Sequence, residues 1–476
     1  MDISRRSLIR NSSAVALGFA GLRTLSGCAS TTGEVAKTAK VEAAPPKPQA
    51  KERPLFDLPS GFSYTVVSRF GDLMDDGLRS PGMADGMAAF PGPDGKTILV
   101  RNHELEAHQK KQGPFGDDNK LFKLLDPRRL YDAGEGNKYP SLGGTSTLLY
   151  DTRTRKTELA FLSLVGTVRN CAGGPTPWNT WVTCEESVQT PDVEYAKDHG
   201  YNFEVPTRLT GGPFEARPIK AMGRFYHEAI GVDPTTGIVY QTEDRSDSLI
   251  YRYIPRTRGA LLDGGQLQAL RVKGQKSFDT RNWHKHTVSV GQSLDVEWVD
   301  VENVEAPDDD LRYAGFHVDG CARFARGEGM WHGTDGMYFA CTTGGRARRG
   351  QIWRYVPSPQ EGTSGEAANP GKLELFIEPN NNNLCENCDN ITFAPWGDLF
   401  LCEDQAGKKS IPQQFILRVT PTGQVSRFAR NAYNNSELAG ICFSPDGGTL
   451  FVNIYDPGIT VAITGPWQEG GAPVLA

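Results

Sequence analysis

One phrase recurs along this sequence and limits what it can fold into. A short apolar run rich in β-branched and aromatic residues meets a turn of the Pro-Asp-Gly kind; a second apolar run follows and ends on polar or acidic residues. The first copy runs from Met87 to Val100 and ends in Arg101-Asn-His-Glu104, and the second passes through Thr180 to Thr183 into Cys184-Glu185-Glu186. A third, Ala229 to Gln241, ends in Thr242-Glu243-Asp244, and a fourth, Met337 to Cys341, ends in Thr342-Thr-Gly-Gly345. The fifth covers Ile391 to Leu401 and ends in Cys402-Glu403-Asp404; the sixth covers Ile441 to Val452 and ends in Asn453 and Asp456. Each unit exposes an apolar face that only its neighbours can cover, so a ring of such units must close to be stable. No long amphipathic helix pattern follows residue 55. The expected fold is all-β: a six-bladed β-propeller with insertions between blades. The uneven spacing of the units excludes a tidy repeat of the WD40 kind.

Closure of such a ring gathers the strand ends at one mouth, and uncompensated like charges at short range are costly. Bound cations solve that problem. The second unit, Asn170 to Glu186 (NCAGGPTPWNTWVTCEE), supplies a soft thiolate beside two hard carboxylates, the edge of a mixed metal site. Regular pleating puts Cys184 and Glu186 on one face and Glu185 on the other. The same residues also suit a buried cysteine beside two solvated acids.

The acidic balance, a formal charge of −6 with no basic face, removes nucleic acid as a partner. Ser4-Arg5-Arg6-Ser7-Leu8-Ile9-Arg10 precedes an apolar run from Ala14 to Leu22, in the order of a twin-arginine export signal, and Leu25-Ser-Gly-Cys28 resembles a lipoprotein signal-peptidase site. The expected organisation is a signal over 1–27, a disordered Ala-, Lys-, Pro- and Glu-rich tether over 28–54 and a globular domain over 55–476. Lipid on Cys28 is the one expected membrane contact, with the protein exported to the periplasm or cell envelope. Eight further cysteines follow Cys28. Cys385-Glu-Asn-Cys388 is the single CxxC, too little for a zinc site and suited to a local disulfide or to two buried thiols. The insertion from Glu106 to Thr145, with Lys110, Lys111, Lys120, Lys123, Arg128 and Arg129, reads as a solvated loop or as a lid over an anionic substrate.

Two further stretches carry chemistry. His227 and Glu228 at one end of the third unit, with Glu243 and Asp244 at the other, offer ligands or acid–base groups. In Arg323-Phe-Ala-Arg326-Gly-Glu328, Arg326 and Glu328 share a face if extended, offering a guanidinium to phosphate and a carboxylate to metal. The GxSxG, Walker A and HExxH signatures are absent.

Taken together, Arg101-Asn-His-Glu104, Thr176-Pro-Trp with Thr183-Cys-Glu-Glu186, His227-Glu228, Thr242-Glu-Asp244, Arg326-Gly-Glu328, Asp389-Asn390 and Phe443-Ser-Pro-Asp-Gly resemble the PhoX-type alkaline phosphatases over roughly residues 60 to 460. The resemblance implies a β-propeller phosphomonoesterase with ferric iron and calcium at the mouth, acting on small phosphorylated substrates. It implies Cys184 as iron ligand, Arg326 as the catalytic arginine, and Glu328 and Glu243 as metal ligands, with His227 beside Arg326 as the expected acid–base group from its own place in the third unit. More loosely it adds Glu185, Glu186, Asp244, Asp389 and Glu403 to the metal set. Cys388 stands where the family pattern has proline. Two other classes use the same mouth: a calcium-dependent hydrolase of lactones or phosphodiesters, which needs no thiolate, and a non-catalytic lipid-anchored binding propeller.

Overall fold

The computed structural model describes residues 53–137, 140–306, 311–381, 384–404, 413–467 and 475. The expected export signal, Cys28 and all but the last residues of the tether lie outside the described residues. Two strands come first, β1 (Phe56–Asp57) and β2 (Ser63–Arg69). Next, β3 (Ala84–Pro91), β4 (Thr97–His103), β5 (Gly143–Asp151) and β6 (Lys156–Thr167) pair in sequence order, as do β7 (Asn170–Pro175), β8 (Thr180–Glu185) and β9 (Asn202–Pro206). A longer run follows with β10 (His227–Val232), β11 (Val239–Glu243), β12 (Ile250–Pro255), β13 (Gly265–Val272) and β14 (Ser293–Asp300). After the helix α1 (Leu311–His317) come β15 (Gly327–His332), β16 (Met337–Cys341), β17 (Gln351–Val356) and β18 (Lys372–Ile377). The last groups are β19 (Cys388–Phe393), β20 (Leu399–Glu403), β21 (Phe415–Val419) and β22 (Val425–Asn431), then β23 (Leu438–Phe443), β24 (Thr449–Ile454) and β25 (Ile459–Thr464).

All pairings between these strands are antiparallel, and the architecture is all-β and propeller-like. The described strands make five sheets, because β14 pairs with β18 and joins two groups into one sheet of nine strands. The N-terminal strands finish the last two sheets: β1 pairs with β22 and β2 with β25. Closure across the chain ends is thereby made by backbone hydrogen bonds rather than by a loop.

The first strand of each group lies innermost. β3 abuts β7, β7 abuts β10, β10 abuts β15, β15 abuts β19, β19 abuts β23, and β23 returns to β3. Apolar side chains fill the space between successive sheets: Tyr240, Leu270, Phe339 and Trp353 in one cluster, Phe90, Val100, Trp181 and Phe203 in another. The 106–145 insertion carries apolar residues of its own, with Phe115, Leu130 and Leu142 packed on Met74 and Leu78, while Lys111, Lys120, Lys123, Arg128 and Arg129 are exposed. Cys385 and Cys388 are buried thiols, and among the described residues every cysteine is free.

Every inner strand breaks register near its start: between Ala84 and Met87, Asn170 and Gly173, His227 and Ile230, Gly327 and Met330, Cys388 and Ile391, and Ala439 and Cys442. A bulge puts an extra residue into one strand and re-aims its side chain.

Candidate metal centre

These bulges build the site. The first bulged residue of successive inner strands is Asp85, Cys171, Glu228, Glu328, Asp389 and Gly440. The first five line a cavity of about 270 Å³ together with Glu104, Arg169, Glu186, Asp244, Arg326, Asp404 and Glu437. A second ring comes from the residue just past four of the six second strands: Glu104 after β4, Glu186 after β8, Asp244 after β11 and Asp404 after β20. The two guanidiniums occupy matching places, one residue ahead of β7 and of β15, where the backbone turns left-handed at Arg169 (φ 46°) and Arg326 (φ 56°).

The cavity holds nine carboxylates, one thiol and two guanidiniums. Arg326 holds Asp244 with two bonds of 2.8 Å, and reaches Glu328 at 2.9 Å and Asp404 at 3.4 Å. Arg169 binds Glu104 at 2.7 Å and also pairs with Glu186. Tyr455 donates to the second oxygen of Glu104 at 2.6 Å. Burial first, and then neighbouring acids, push the carboxyls of Asp85, Glu186, Glu228, Glu328 and Glu437 well above the usual range, and Asp389 up to about 7. Burial and the same acids push the Cys171 thiol up. Burial works against the charge on both arginines, but the carboxylates around them outweigh it and hold them cationic.

Two observations test whether cations fit here. Both oxygens of Glu228 are buried with no hydrogen-bond partner, which is costly unless a cation takes them. Donor atoms also converge in three overlapping groups, each within 4.8 Å: Asp85, Glu104 and Cys171; Cys171, Glu186 and Glu228; and Glu228, Glu328 and Asp389. Cys171 and Glu228 are each shared by two groups, so the donor set fits several neighbouring cations.

Of the residues singled out from the sequence, the structure brings Glu186, Asp244, Arg326, Glu328 and Asp389 into this cavity and places Cys184, Glu185, His227, Glu243 and Glu403 elsewhere. Cys184 is fully buried in an apolar cluster with Val182, Ile219, Met222 and Ile230; the thiol that faces the acids is Cys171. The reason is that the cavity faces the inner strand β7, whereas Cys184 lies within β8. His227 is 0% exposed, stacks on Phe225 at 3.6 Å and bonds the Gly223 carbonyl at 3.0 Å. Burial lowers its pKa to about 3, so it is a neutral structural residue rather than an acid–base group.

Glu185, Glu243 and Glu403 close their strands one residue too early to reach the cavity, and each instead binds backbone. Glu185 accepts from Val168, Gly200 and Tyr201 N–H, Glu243 from Leu249, and Glu403 from Glu386 and Phe415. Glu228, a candidate ligand from the sequence, also lines the cavity, whereas sequence reasoning does not single out Asp85, Arg169, Cys171 and Glu437 and marks Glu104 and Asp404 only as parts of motifs. Aligning the units on their inner strands, A-D-G-M, N-C-A-G, H-E-A-I, G-E-G-M and C-D-N-I, picks out the five floor residues at one position.

Comparisons with known proteins bear on the family and the fold. The family model for alkaline phosphatase PhoX matches residues 42–148 and 141–458. The solved structure of Pseudomonas fluorescens PhoX in complex with vanadate, a transition-state analogue, is similar with a TM-score of 0.63 at 19% identity, covering 87% of this chain and 96% of that one. A gluconolactonase from Xanthomonas campestris is much more distant, with a TM-score of 0.38 at 10% identity over 86% of this chain and 100% of that one. No curated protein sequence matches. With the family model covering most of its length, the chain belongs to the PhoX alkaline phosphatase family and is a phosphatase-type hydrolase.

Proposed function

We propose that this protein hydrolyses phosphate monoesters at an iron–calcium centre in the mouth of a six-bladed propeller. The nine-stranded sheet reads as two blades sharing the β14–β18 edge, which with the other four sheets gives six. The observation that carries the functional reading is the chain of three donor groups sharing Cys171 and Glu228. Thiolate with carboxylates suits iron in the groups containing Cys171; the all-oxygen group of Glu228, Glu328 and Asp389 suits calcium. Cys171 thus takes the iron-binding role expected of Cys184. A purely calcium-dependent hydrolase has no use for that thiol.

Bound cations would supply Lewis-acid stabilisation of the phosphoryl oxygens and activation of the attacking water. The chain's own residues position the ester. Arg169 and Arg326 present guanidiniums from two inner-strand starts to the phosphoryl oxygens, where planar paired donors match the charge that spreads in transfer. Their carboxylate partners hold both side chains in place before substrate arrives. Export through the twin-arginine route with lipid on Cys28 belongs to the same proposal and is supported by the sequence pattern.

The test is hydrolysis of p-nitrophenyl phosphate by protein matured through that route, with bound metals measured, before and after EGTA and on return of calcium. The expected result is iron retained with calcium, and turnover lost to EGTA and restored by calcium. Folded, metal-bearing protein without turnover on any monoester overturns the reading.

A further inference from the structure

Behind Arg169 lies a buried run of side chains that the proposed chemistry does not use. Glu185 accepts from Val168 N–H at 2.9 Å, Gly200 N–H at 2.8 Å and Tyr201 N–H at 3.1 Å. Its Oε1 also stands 2.7 Å from His199 Nδ1, and His199 Nε2 stands 3.3 Å from Asp132 Oδ2. Asp132 in turn accepts from the N–H groups of Gly134, Ala196 and Lys197. The side chains of all three are 0% exposed, and none lines the cavity. With a carboxylate at each ring nitrogen, the imidazole donates to both only as the cation. Burial opposes that charge, but Glu185 and Asp132 outweigh it and hold the pKa up at about 9.

The arrangement reaches Arg169 through the backbone. Val168 precedes Arg169, Glu185 precedes Glu186, and Glu186 N–H donates to the Arg169 carbonyl at 2.9 Å. One carboxylate therefore fixes both segments that carry the Arg169–Glu186 pair. Arg169 needs such support, because φ 46° is a conformation that a residue with a Cβ adopts at a cost.

We infer that Glu185, His199 and Asp132 form a positioning relay, anchored in the 106–145 insertion, that sets Arg169 at the angle required to grip a phosphoryl group. The inference rests on reading the cavity as a phosphate site. The three residues touch neither substrate nor cation; they act through Arg169.

The experiment uses the full cation-loaded protein, inorganic vanadate as binding probe and p-nitrophenyl phosphate as substrate. His199→Gln removes the imidazolium, and Asp132→Asn is the milder variant if His199→Gln does not fold. Either is expected to raise the vanadate inhibition constant and KM by about tenfold with kcat changed less than about threefold. In an Arg169→Ala background the same substitution is expected to add no further loss, which a merely structural role would not produce. Backbone amide exchange is expected to quicken at Val168, Gly200 and Tyr201 but not in β15 and β16. An equal loss in both backgrounds, or unchanged exchange at those three amides, overturns the relay. If the parent protein neither binds vanadate nor turns over an ester, the phosphate reading falls, and amide exchange alone then decides whether the relay holds the 168–169 backbone.

Discussion

Cys171 and Cys184 lie on neighbouring strands of one hairpin, and their fates differ because one strand is inner and the other is not. Strand pleating relates the faces of residues within one strand, but it says nothing about which strand borders the axis. That is a tertiary fact, set when β7 packs between β3 and β10. The same ambiguity explains Glu185, Glu243 and Glu403: the sequence marks acidic strand ends, and a shift of one residue decides between cavity and backbone staple. Substitution separates the two thiols. Cys171→Ser is expected to lose bound iron, read by elemental analysis, and to lower kcat/KM at least about a hundredfold. Cys184→Ala, in its apolar cluster, is expected to keep both metal and turnover while costing about 1–2 kcal/mol in urea unfolding. Full iron in Cys171→Ser, or iron loss in Cys184→Ala, reverses the assignment.

At the scale of elements, the strand–turn–strand phrase was readable because β-branched runs and Pro-Asp-Gly turns are local features. The bulges were not, since a register break depends on the partner strand. Arg169 and Arg326 escaped equivalence for the same reason, their shared left-handed backbone being invisible in the residue type. Close approach of the inner strands supports the bulges. A Cβ on Gly86 would stand 2.6 Å from Ala172 Cα and 2.9 Å from the Cys171 carbonyl, both backbone atoms that cannot swing aside. Gly86→Ala is therefore expected to push β3 from β7, separating Asp85 from Cys171. It should cost about 1–3 kcal/mol in urea unfolding, with fewer cations retained after dialysis. An unfolding midpoint and metal content equal to the parent would mean that the inner strands have slack, and that the bulge position does not depend on this contact.

For the whole molecule, the closed ring followed from the sequence by a general argument, that apolar faces of hairpins need neighbours. The count of sheets did not, because the β14–β18 edge joins two groups after a long excursion through α1. What the ring creates is an electrostatic problem larger than any blade: nine carboxylates facing two guanidiniums in about 270 Å³. Without cations, burial and mutual repulsion raise the carboxyls of Asp85, Glu186, Glu228, Glu328 and Glu437, and Asp389 to about 7, against unfolded values near 4. The folded cation-free protein then binds more protons than the unfolded chain over this range, so its stability falls as pH rises. The loss begins near pH 4, continues through about 7 as Asp389 ionises, and extends further for the groups raised more strongly. Bound cations remove it by replacing the protons. Chelator-treated protein is therefore expected to show a melting temperature that drops between pH 5 and pH 8, while the cation-loaded protein stays nearly level and the gap between them widens. Calorimetry on both forms checks this, together with proton uptake on chelation at pH 6. Parallel curves for the two forms would mean that the acids are neutralised within the fold itself, and that the mouth has no need of metal.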